Sequence, residues 1–262
     1  MKRAVLAVSF GTSYRETREK TIGAIEDALR RRFAGWEVRR AFTSRMIIRR
    51  LAERDGMHVD TVAEAMERLV RDGIEEVVVQ PTHVMNGYEN EEMLAQLARY
   101  EGCFRHFAVG KPLLTAGEDY RALAAALREG LPAPGEGEAV VLVGHGTDHY
   151  ANASYAALAW YFSLLGCPRW YVGTVEGDPG LEDVRALLRR DGVRRAALAP
   201  LLIVAGDHAA NDIFGEGDSW KTTLESDGVE VVPVRKGLGE YPGVRELFVQ
   251  HAVQAKEKAC RQ

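Results

Sequence analysis

The sequence has few cysteines, and their spacing excludes several kinds of site. Its 262 residues include three cysteines, Cys103, Cys167 and Cys260, which lie far apart. An odd number of widely spaced thiols predicts neither a disulfide framework nor a cysteine-based metal site. The sequence also lacks the Gly-Lys-Ser/Thr end of a nucleotide-binding loop and the Gly-x-Ser-x-Gly turn of many hydrolases. Any chemistry must therefore come from other side chains.

Long apolar runs and a strong net charge are missing as well. No apolar stretch approaches the roughly 20 residues of a membrane span. The net charge of -4 gives no general attraction to nucleic acid or to anionic membranes. The N-terminal apolar run, 4–8, is too short for a signal peptide. We therefore expect a first strand there and a cytoplasmic protein with no membrane or nucleic-acid partner.

Short apolar runs alternate with segments of helical periodicity along the chain. The segments 4–8, 76–80 and 139–143, of which 76–80 has a polar residue at each end, are typical of strands buried on both faces of a parallel sheet. Alternating strands and helices predict an α/β fold with Rossmann-like parallel sheets. A hydrophobic content of 46% is enough for a sizeable core.

A segment rich in proline and glycine, 131–137, predicts a linker between two domains. We expect an N-terminal α/β domain over 1–131. The C-terminal α/β domain is expected over 138–262, with a closing C-terminal helix.

The two halves resemble each other at three strand ends, which predicts an internal duplication. The matched positions are Phe10 with His145, Phe42 with Glu176, and Glu89 with His208. The three pairs are 135, 134 and 119 positions apart, so an insertion or deletion must separate the second strand from the third.

Two histidines and a glutamate follow three predicted strands of the second half. His145 comes directly after 139–143, and Glu176 and His208 follow the next two strands. Because the carboxyl ends of parallel strands share one edge of a sheet, we expect these side chains to converge. Two imidazoles and a carboxylate suit Co²⁺, Zn²⁺, Ni²⁺ or Fe²⁺, and three protein ligands leave positions open for a substrate. Singly, each would be an ordinary loop residue; together they predict a metal site.

Other strand-end residues are weaker candidates. Glu89 is predicted to face the metal site across a cleft between the domains. His83 either lines this cleft or has a structural role, and His149 is a less favoured ligand because a glycine turn precedes it. Residues predicted to contact substrate are Phe10, Gly11, Thr12, Ser13, Met85, Gly87 and Gly206. Arginines that either bind substrate carboxylates or form solvated helix faces are Arg15, Arg39, Arg40, Arg45, Arg49 and Arg50.

Five motifs along the chain resemble one enzyme family. They are VSFGTS, QPTHVMNGYENE, VGHGTDHYAN, GTVEG and PLLIVAGDHAANDI. Together they are similar to the anaerobic sirohydrochlorin cobaltochelatases of cobalamin biosynthesis, which are class II chelatases. The resemblance implies two similar chelatase-like α/β domains with an active-site cleft between them. It also implies a metal held by His145, His208 and Glu176, with Glu89 as an additional acid.

The resemblance implies the insertion of Co²⁺ into sirohydrochlorin with loss of two pyrrole protons. Co²⁺ is then the substrate metal, and Fe²⁺, Ni²⁺ or Zn²⁺ are expected to fit the same site. His145 or Glu89 is expected to accept the protons. Two alternatives stay open: a ferrochelatase that makes sirohaem, and a non-catalytic two-lobed protein that binds a metal or a tetrapyrrole. A homo-oligomer is compatible with the sequence.

Overall fold

The computed structural model describes residues 1–259 and contains two parallel β-sheets; Cys260 lies outside the described residues. The strands of the first sheet are β1 (Arg3–Ser9), β2 (Glu37–Phe42), β3 (Asp60–Thr61), β4 (Glu76–Pro81) and β5 (His106–Val109). The strands of the second are β6 (Glu138–Gly144), β7 (Trp170–Thr174), β8 (Arg195–Pro200) and β9 (Glu230–Pro233). Their orders are β3-β2-β1-β4-β5 and β7-β6-β8-β9, with every strand pair parallel. The predicted parallel α/β architecture is therefore confirmed.

Helices connect the strands of both sheets. Those of the first half are α1 (Arg15–Arg18), α2 (Ala24–Arg32), α3 (Arg45–Asp55), α4 (Val62–Arg71) and α5 (Tyr88–Leu97). Those that follow are α6 (Gly117–Gly130), α7 (Ala153–Leu164), α8 (Leu181–Arg190), α9 (Trp220–Ser226) and α10 (Pro242–Ala259). Among the described residues, none of these helices is both long enough and apolar enough to cross a membrane.

Apolar side chains on the strands form the core of each sheet. In β1, the residues from Ala4 to Val8 are fully buried, as the unbroken apolar run predicts. Helix α4 turns Val62, Met66 and Leu69 onto this sheet, at the spacing of one helical face. Because both faces of the strands are buried, polar side chains lie mainly at the strand ends. Functional residues are therefore expected at the carboxyl edge of each sheet.

The chain divides into two compact units at places that the proline-rich linker does not mark. One unit contains Met1–Thr115 and Val244–Gln262, and the other contains Ala116–Gly243. The observed units differ from the domains expected over 1–131 and 138–262 in the placement of two helices, α6 and α10. Helix α6 belongs to the second unit, where Tyr120 stacks on Tyr161 with ring centroids 5.2 Å apart.

Most of the C-terminal helix belongs to the first unit, although the sequence places it at the end of the second domain. In α10, the Nδ1 atom of His251 lies 3.1 Å from the carbonyl oxygen of Lys111. The Nζ atom of Lys256 lies 5.1 Å from the centre of the Trp36 ring. Helical periodicity predicts that α10 exists, but it does not specify which sheet the helix packs against.

The registers of the two sheets test the predicted duplication. Val8 pairs with Pro81 and Val143 pairs with Pro200, so Pro81 and Pro200 are equivalent. Glu89 and His208 each lie eight residues further on, which supports their match.

One predicted match is off by two residues. Ser9 pairs with Phe42 and Gly144 pairs with Thr174, so Phe42 is equivalent to Thr174 and not to Glu176. The two segments each begin with a tryptophan, so aligning Trp36 with Trp170 places Phe42 against Glu176, but these tryptophans have different roles. Trp36 precedes β2 and packs on Phe33, whereas Trp170 is the first residue of β7.

Candidate functional site

The loops after β6 and β7 are joined by backbone hydrogen bonds. The amide of Val175 donates to the carbonyl of Gly144 at 3.0 Å, and the amide of Glu176 donates to the carbonyl of His145 at 2.8 Å. His145 and Glu176 therefore stand on a continuation of the parallel ladder and not on independent loops.

Close backbone approach fixes the turn that follows His145. Gly146 has a φ of 86°, and a Cβ atom at this position would lie 2.5 Å from the amide nitrogen of Gly177. The hydroxyl oxygen of Tyr155, a buried residue of α7, accepts a hydrogen bond from the Gly146 amide at 3.4 Å. Glycine is therefore required at 146, and the turn gives the His145 ring a defined direction.

His145 and His208 come together at the carboxyl edge of the second sheet. Their Nε2 atoms are 3.1 Å apart, and their rings are nearly perpendicular with centroids separated by 4.3 Å. Both imidazoles are partly exposed, at 42% and 45% of their side-chain surface. The convergence expected for these two strand-end residues is observed.

The other ring nitrogen of each histidine faces an acceptor. The Nδ1 atom of His145 lies 2.8 Å from the carbonyl oxygen of Gly146, and Nδ1 of His208 lies 2.8 Å from Oδ2 of Asp212. Carbonyl and carboxylate oxygens only accept hydrogen bonds, so each neutral ring carries its proton on Nδ1. Both Nε2 lone pairs then point into the same space, and a cation between them removes their mutual repulsion.

Glu176 lies beside this pair but is more loosely placed. Its Oε2 atom is 3.9 Å from Nε2 of His145, and 59% of its side chain is exposed. The carboxylate is therefore a neighbour of His145, although the ligand atoms of the three side chains do not all lie within 4.8 Å of one another in the described part of the chain.

Glu89 belongs to the first unit, at the second residue of α5. It is exposed and makes no ion pair or hydrogen bond with a described residue. The helix is capped by the backbone of Gly87, because Asn90 and Glu91 donate to its carbonyl oxygen at 2.9 and 3.0 Å. The Glu89 side chain therefore does not cap α5, and its carboxylate can contact a substrate.

The residues predicted to contact substrate have very different exposures. Phe10 is 47% exposed, whereas Thr12 and Ser13 are buried and their carbonyl oxygens accept hydrogen bonds from Arg18 and Arg54. Met85 is buried, and Gly11, Gly87 and Gly206 are partly exposed. Contact between substrate and any of these residues stays a prediction.

Several arginines of the first unit pair with acids. The observed pairs are Arg15 with Glu19, Arg39 with Asp72, Arg40 with Glu26, and Arg49 with Glu53. A groove of about 770 Å³ is lined by Arg40 and Arg54, but Glu26 and Asp55 bind them there. These arginines are charge-compensated and do not form an open carboxylate site.

A second group of potential ligands lies in the first unit. Among residues 1–259, the ligand atoms of His58, Asp60 and Glu64 are the set of three that all lie within 4.8 Å of one another. Asp60 is already paired with Arg68 at 3.2 Å, and Glu64 accepts hydrogen bonds from the amide and hydroxyl of Thr61 at the start of α4. Because helix capping and an ion pair use these oxygens, the group is explained without a metal.

A model of the cobalt chelatase (CbiK) family matches residues 3–257 of the chain. The chain belongs to the cobalt chelatase family. It is 41% identical over 263 residues to the sirohydrochlorin cobaltochelatase of Salmonella typhimurium, covering 100% of this chain and 99% of that protein. It is 36% identical over 258 residues to the sirohydrochlorin cobaltochelatase CbiKC of Nitratidesulfovibrio vulgaris, covering 97% and 90%. The family predicted from the five motifs is confirmed.

Solved structures show the same fold at low sequence identity. SirB from Bacillus subtilis with Fe³⁺ superposes with a TM-score of 0.67 at 16% identity, covering 100% of this chain and 98% of that one. CbiX, described as the terminal enzyme for biosynthesis of siroheme in denitrifying bacteria, gives a TM-score of 0.54 at 17% identity, covering 97% and 99%. The chelatase-like fold expected from the sequence is thus confirmed.

Sequence reasoning missed two residues that support the histidines of this cobalt chelatase family member. Asp212 lies four residues after His208, a spacing that places two side chains on one helical face and offered a signal. Tyr155 gave no such signal, because helical periodicity indicates the buried face of α7 and not a hydroxyl that binds the His145 turn.

His83 has a buried environment. It is 9% exposed, and neither ring nitrogen makes a hydrogen bond of ordinary geometry with a described residue. Burial lowers the pKa of His83 to about 4, and the neighbouring Asn90 side chain only partly opposes this shift. Of the two roles considered from the sequence, the burial favours the structural one.

Burial of His83 predicts a pH-dependent stability. The unfolded chain binds a proton at this ring near the ordinary pKa of 6.5, whereas the folded protein does so only near 4. Stability from this residue is therefore complete above pH 6.5 and falls as the pH decreases towards 4. Between pH 7 and pH 5 the free energy of unfolding of the wild type should fall by about 2 kcal/mol more than that of His83→Phe. Urea unfolding of both proteins at the two pH values measures this difference, and equal losses would contradict the assignment.

Proposed function

We propose that the chain inserts Co²⁺ into sirohydrochlorin, with His145, His208 and Glu176 holding the ion before transfer. The observation that carries this proposal is the pair of Nε2 atoms at 3.1 Å in a member of the cobalt chelatase family. The names of the two curated relatives, both sirohydrochlorin cobaltochelatases, support the substrate.

The spacing of the histidines suits a shared divalent ion. Bonds of roughly 2.0–2.1 Å from a metal to two imidazole nitrogens, at angles between about 90° and 110°, separate those nitrogens by about 2.8–3.4 Å. The observed 3.1 Å falls within this range. Imidazole and carboxylate are also suitable ligands for Co²⁺, and three protein ligands leave coordination positions for tetrapyrrole nitrogens.

Metal transfer requires the protein bonds to be released while ring nitrogens replace them. The partial exposure of His145, His208 and Glu176 allows a large planar substrate to reach the ion from the solvent side. Two pyrrole protons leave the ring as Co²⁺ enters. A histidine that has released the metal regains an Nε2 lone pair, which can accept one of these protons.

Glu89 is proposed to act on the substrate and not to hold the metal. It occupies the first-unit position that is equivalent to His208, but the two other equivalent positions are Phe10 and Ser44. Phenylalanine offers no ligand atom, so the first unit does not repeat the three-ligand arrangement. The exposed carboxylate has no described partner in its own unit, so it can contact an N–H group of the substrate.

Membership of the cobalt chelatase family does not specify every property predicted from the sequence. Iron, nickel or zinc at the same histidines, a cytoplasmic location and a homo-oligomeric state stay predictions from the sequence. Competition between metals separates a cobaltochelatase from a ferrochelatase that uses the same site.

The first test is metal insertion by wild type and histidine variants. Mixing the protein with sirohydrochlorin and Co²⁺ should change the absorbance of the tetrapyrrole, at a higher initial rate than with Fe²⁺. His145→Ala and His208→Ala should each nearly abolish insertion and weaken Co²⁺ binding, since each removes one of the proposed ligands. Initial rates and titration calorimetry measure the two effects.

The matched control for this test is His58→Ala, which removes an exposed imidazole from the rival group in the first unit. It should keep the wild-type rate and affinity. Wild-type Co²⁺ affinity in both site variants, or its loss in the control, would overturn the assignment. A wild-type protein that binds Co²⁺ tightly without metallating the tetrapyrrole would favour the non-catalytic binding protein.

The second test separates catalysis from binding at Glu89. Glu89→Gln keeps the size of the side chain but removes the basic carboxylate, so turnover should fall by about 10²–10⁴-fold with little change in Co²⁺ affinity. Glu91→Gln, in the same first turn of α5, is the control for the effect of charge on the helix. A wild-type rate for Glu89→Gln would end the catalytic role, and an equal loss of affinity would make Glu89 a ligand.

A further inference from the structure

Asp212 contacts the side of the His208 ring that faces away from His145. Its Oδ2 atom is 2.8 Å from Nδ1 of His208, while Nε2 of the same ring lies 3.1 Å from Nε2 of His145. An ionised carboxylate only accepts hydrogen bonds. The contact therefore keeps the imidazole proton on Nδ1 and leaves the lone pair on the nitrogen that faces the proposed metal position.

The segment that carries Asp212 is anchored in the core. Ala209–Ile213 forms a π-helical turn, in which the amide of Phe214 donates to the carbonyl of Ala209 at 3.0 Å. Ile213, the next residue after Asp212, is fully buried, and Ala209 is 3% exposed. Ala209 and Ile213 therefore anchor the backbone of this turn, from which the Asp212 carboxylate reaches His208.

The two histidines are oriented by different means. His145 directs Nδ1 to the carbonyl oxygen of its neighbour Gly146 at 2.8 Å, so the backbone determines its proton position. His208 directs Nδ1 to a side chain. A single substitution can therefore remove the orienting group of His208, whereas no side-chain substitution removes the acceptor of His145.

We propose that Asp212 is a positioning residue that sets the tautomer and direction of the His208 ring. This proposal depends on the metal site proposed above. Without it, the neutral ring is free to place its proton on Nε2 or to rotate, and either change removes a ligand. A carboxylate behind a metal-binding histidine commonly contributes 10–100-fold to metal affinity. A simple surface ion pair between groups that are 45% and 40% exposed would contribute little and would leave the tautomer unchanged.

The test first examines the metal-free full-length protein and then titrates it with Co²⁺ in the absence of a tetrapyrrole. In protein labelled with ¹⁵N-histidine, the ring-nitrogen shifts of His208 should report a proton on Nδ1 in wild type. Asp212→Ala should move it towards Nε2 and weaken Co²⁺ binding by about 10–100-fold. Asp212→Asn removes the charge but keeps an acceptor oxygen, so its loss of affinity should be smaller than that of Asp212→Ala.

Asn211→Ala is the matched control, because it truncates the exposed neighbour of Asp212 in the same turn. It should leave the tautomer and the affinity of wild type unchanged. An unchanged tautomer and affinity in Asp212→Ala would overturn the role of Asp212, as would an equal loss in Asn211→Ala. Wild-type protein in which Co²⁺ leaves the His145 and His208 signals unperturbed would instead contradict the proposed function, so the two failures are distinguishable.

Discussion

The proposed site depends on one constraint, the 3.1 Å that separates the Nε2 atoms of His145 and His208. With each Nδ1 opposite an oxygen acceptor, the neutral rings turn their Nε2 lone pairs towards each other. Such an arrangement is unfavourable in an empty protein and favourable around a cation. The second unit thus holds the two proposed ligands at a distance that suits a divalent ion.

The scaffold produces this distance through the ends of parallel strands. β6 ends at Gly144, and the ladder continues from the carbonyls of Gly144 and His145 to the loop that carries Glu176. His208 lies further from its strand, on a turn whose apolar residues pack into the core. A transferred substrate metal must be bound and then released, and partly exposed ligands on a rigid backbone suit both requirements.

The sequence predicted much of this arrangement because buried parallel strands have an unmistakable apolar pattern. Placing His145 and His208 at strand ends was sufficient to predict that their side chains meet, and Glu176 lies beside His145. The match of Phe42 with Glu176 was off by two residues, since identical tryptophans have different roles in the two sheets.

The assignments of α6 and α10 to the two units also differ from the expected boundaries, because periodicity shows which face of a helix is apolar but not which sheet that face packs against. Asp212 was missed because its role depends on the ring orientation of His208.

The most direct test of the account is the position of cobalt in crystals of the protein grown with Co²⁺. Anomalous scattering recorded at the cobalt edge locates the ion without assumptions about its ligands. The account predicts one strong peak about 2 Å from Nε2 of both His145 and His208, within reach of the Glu176 carboxylate. A principal peak at His58, Asp60 and Glu64, or no peak between the two histidines, would contradict it.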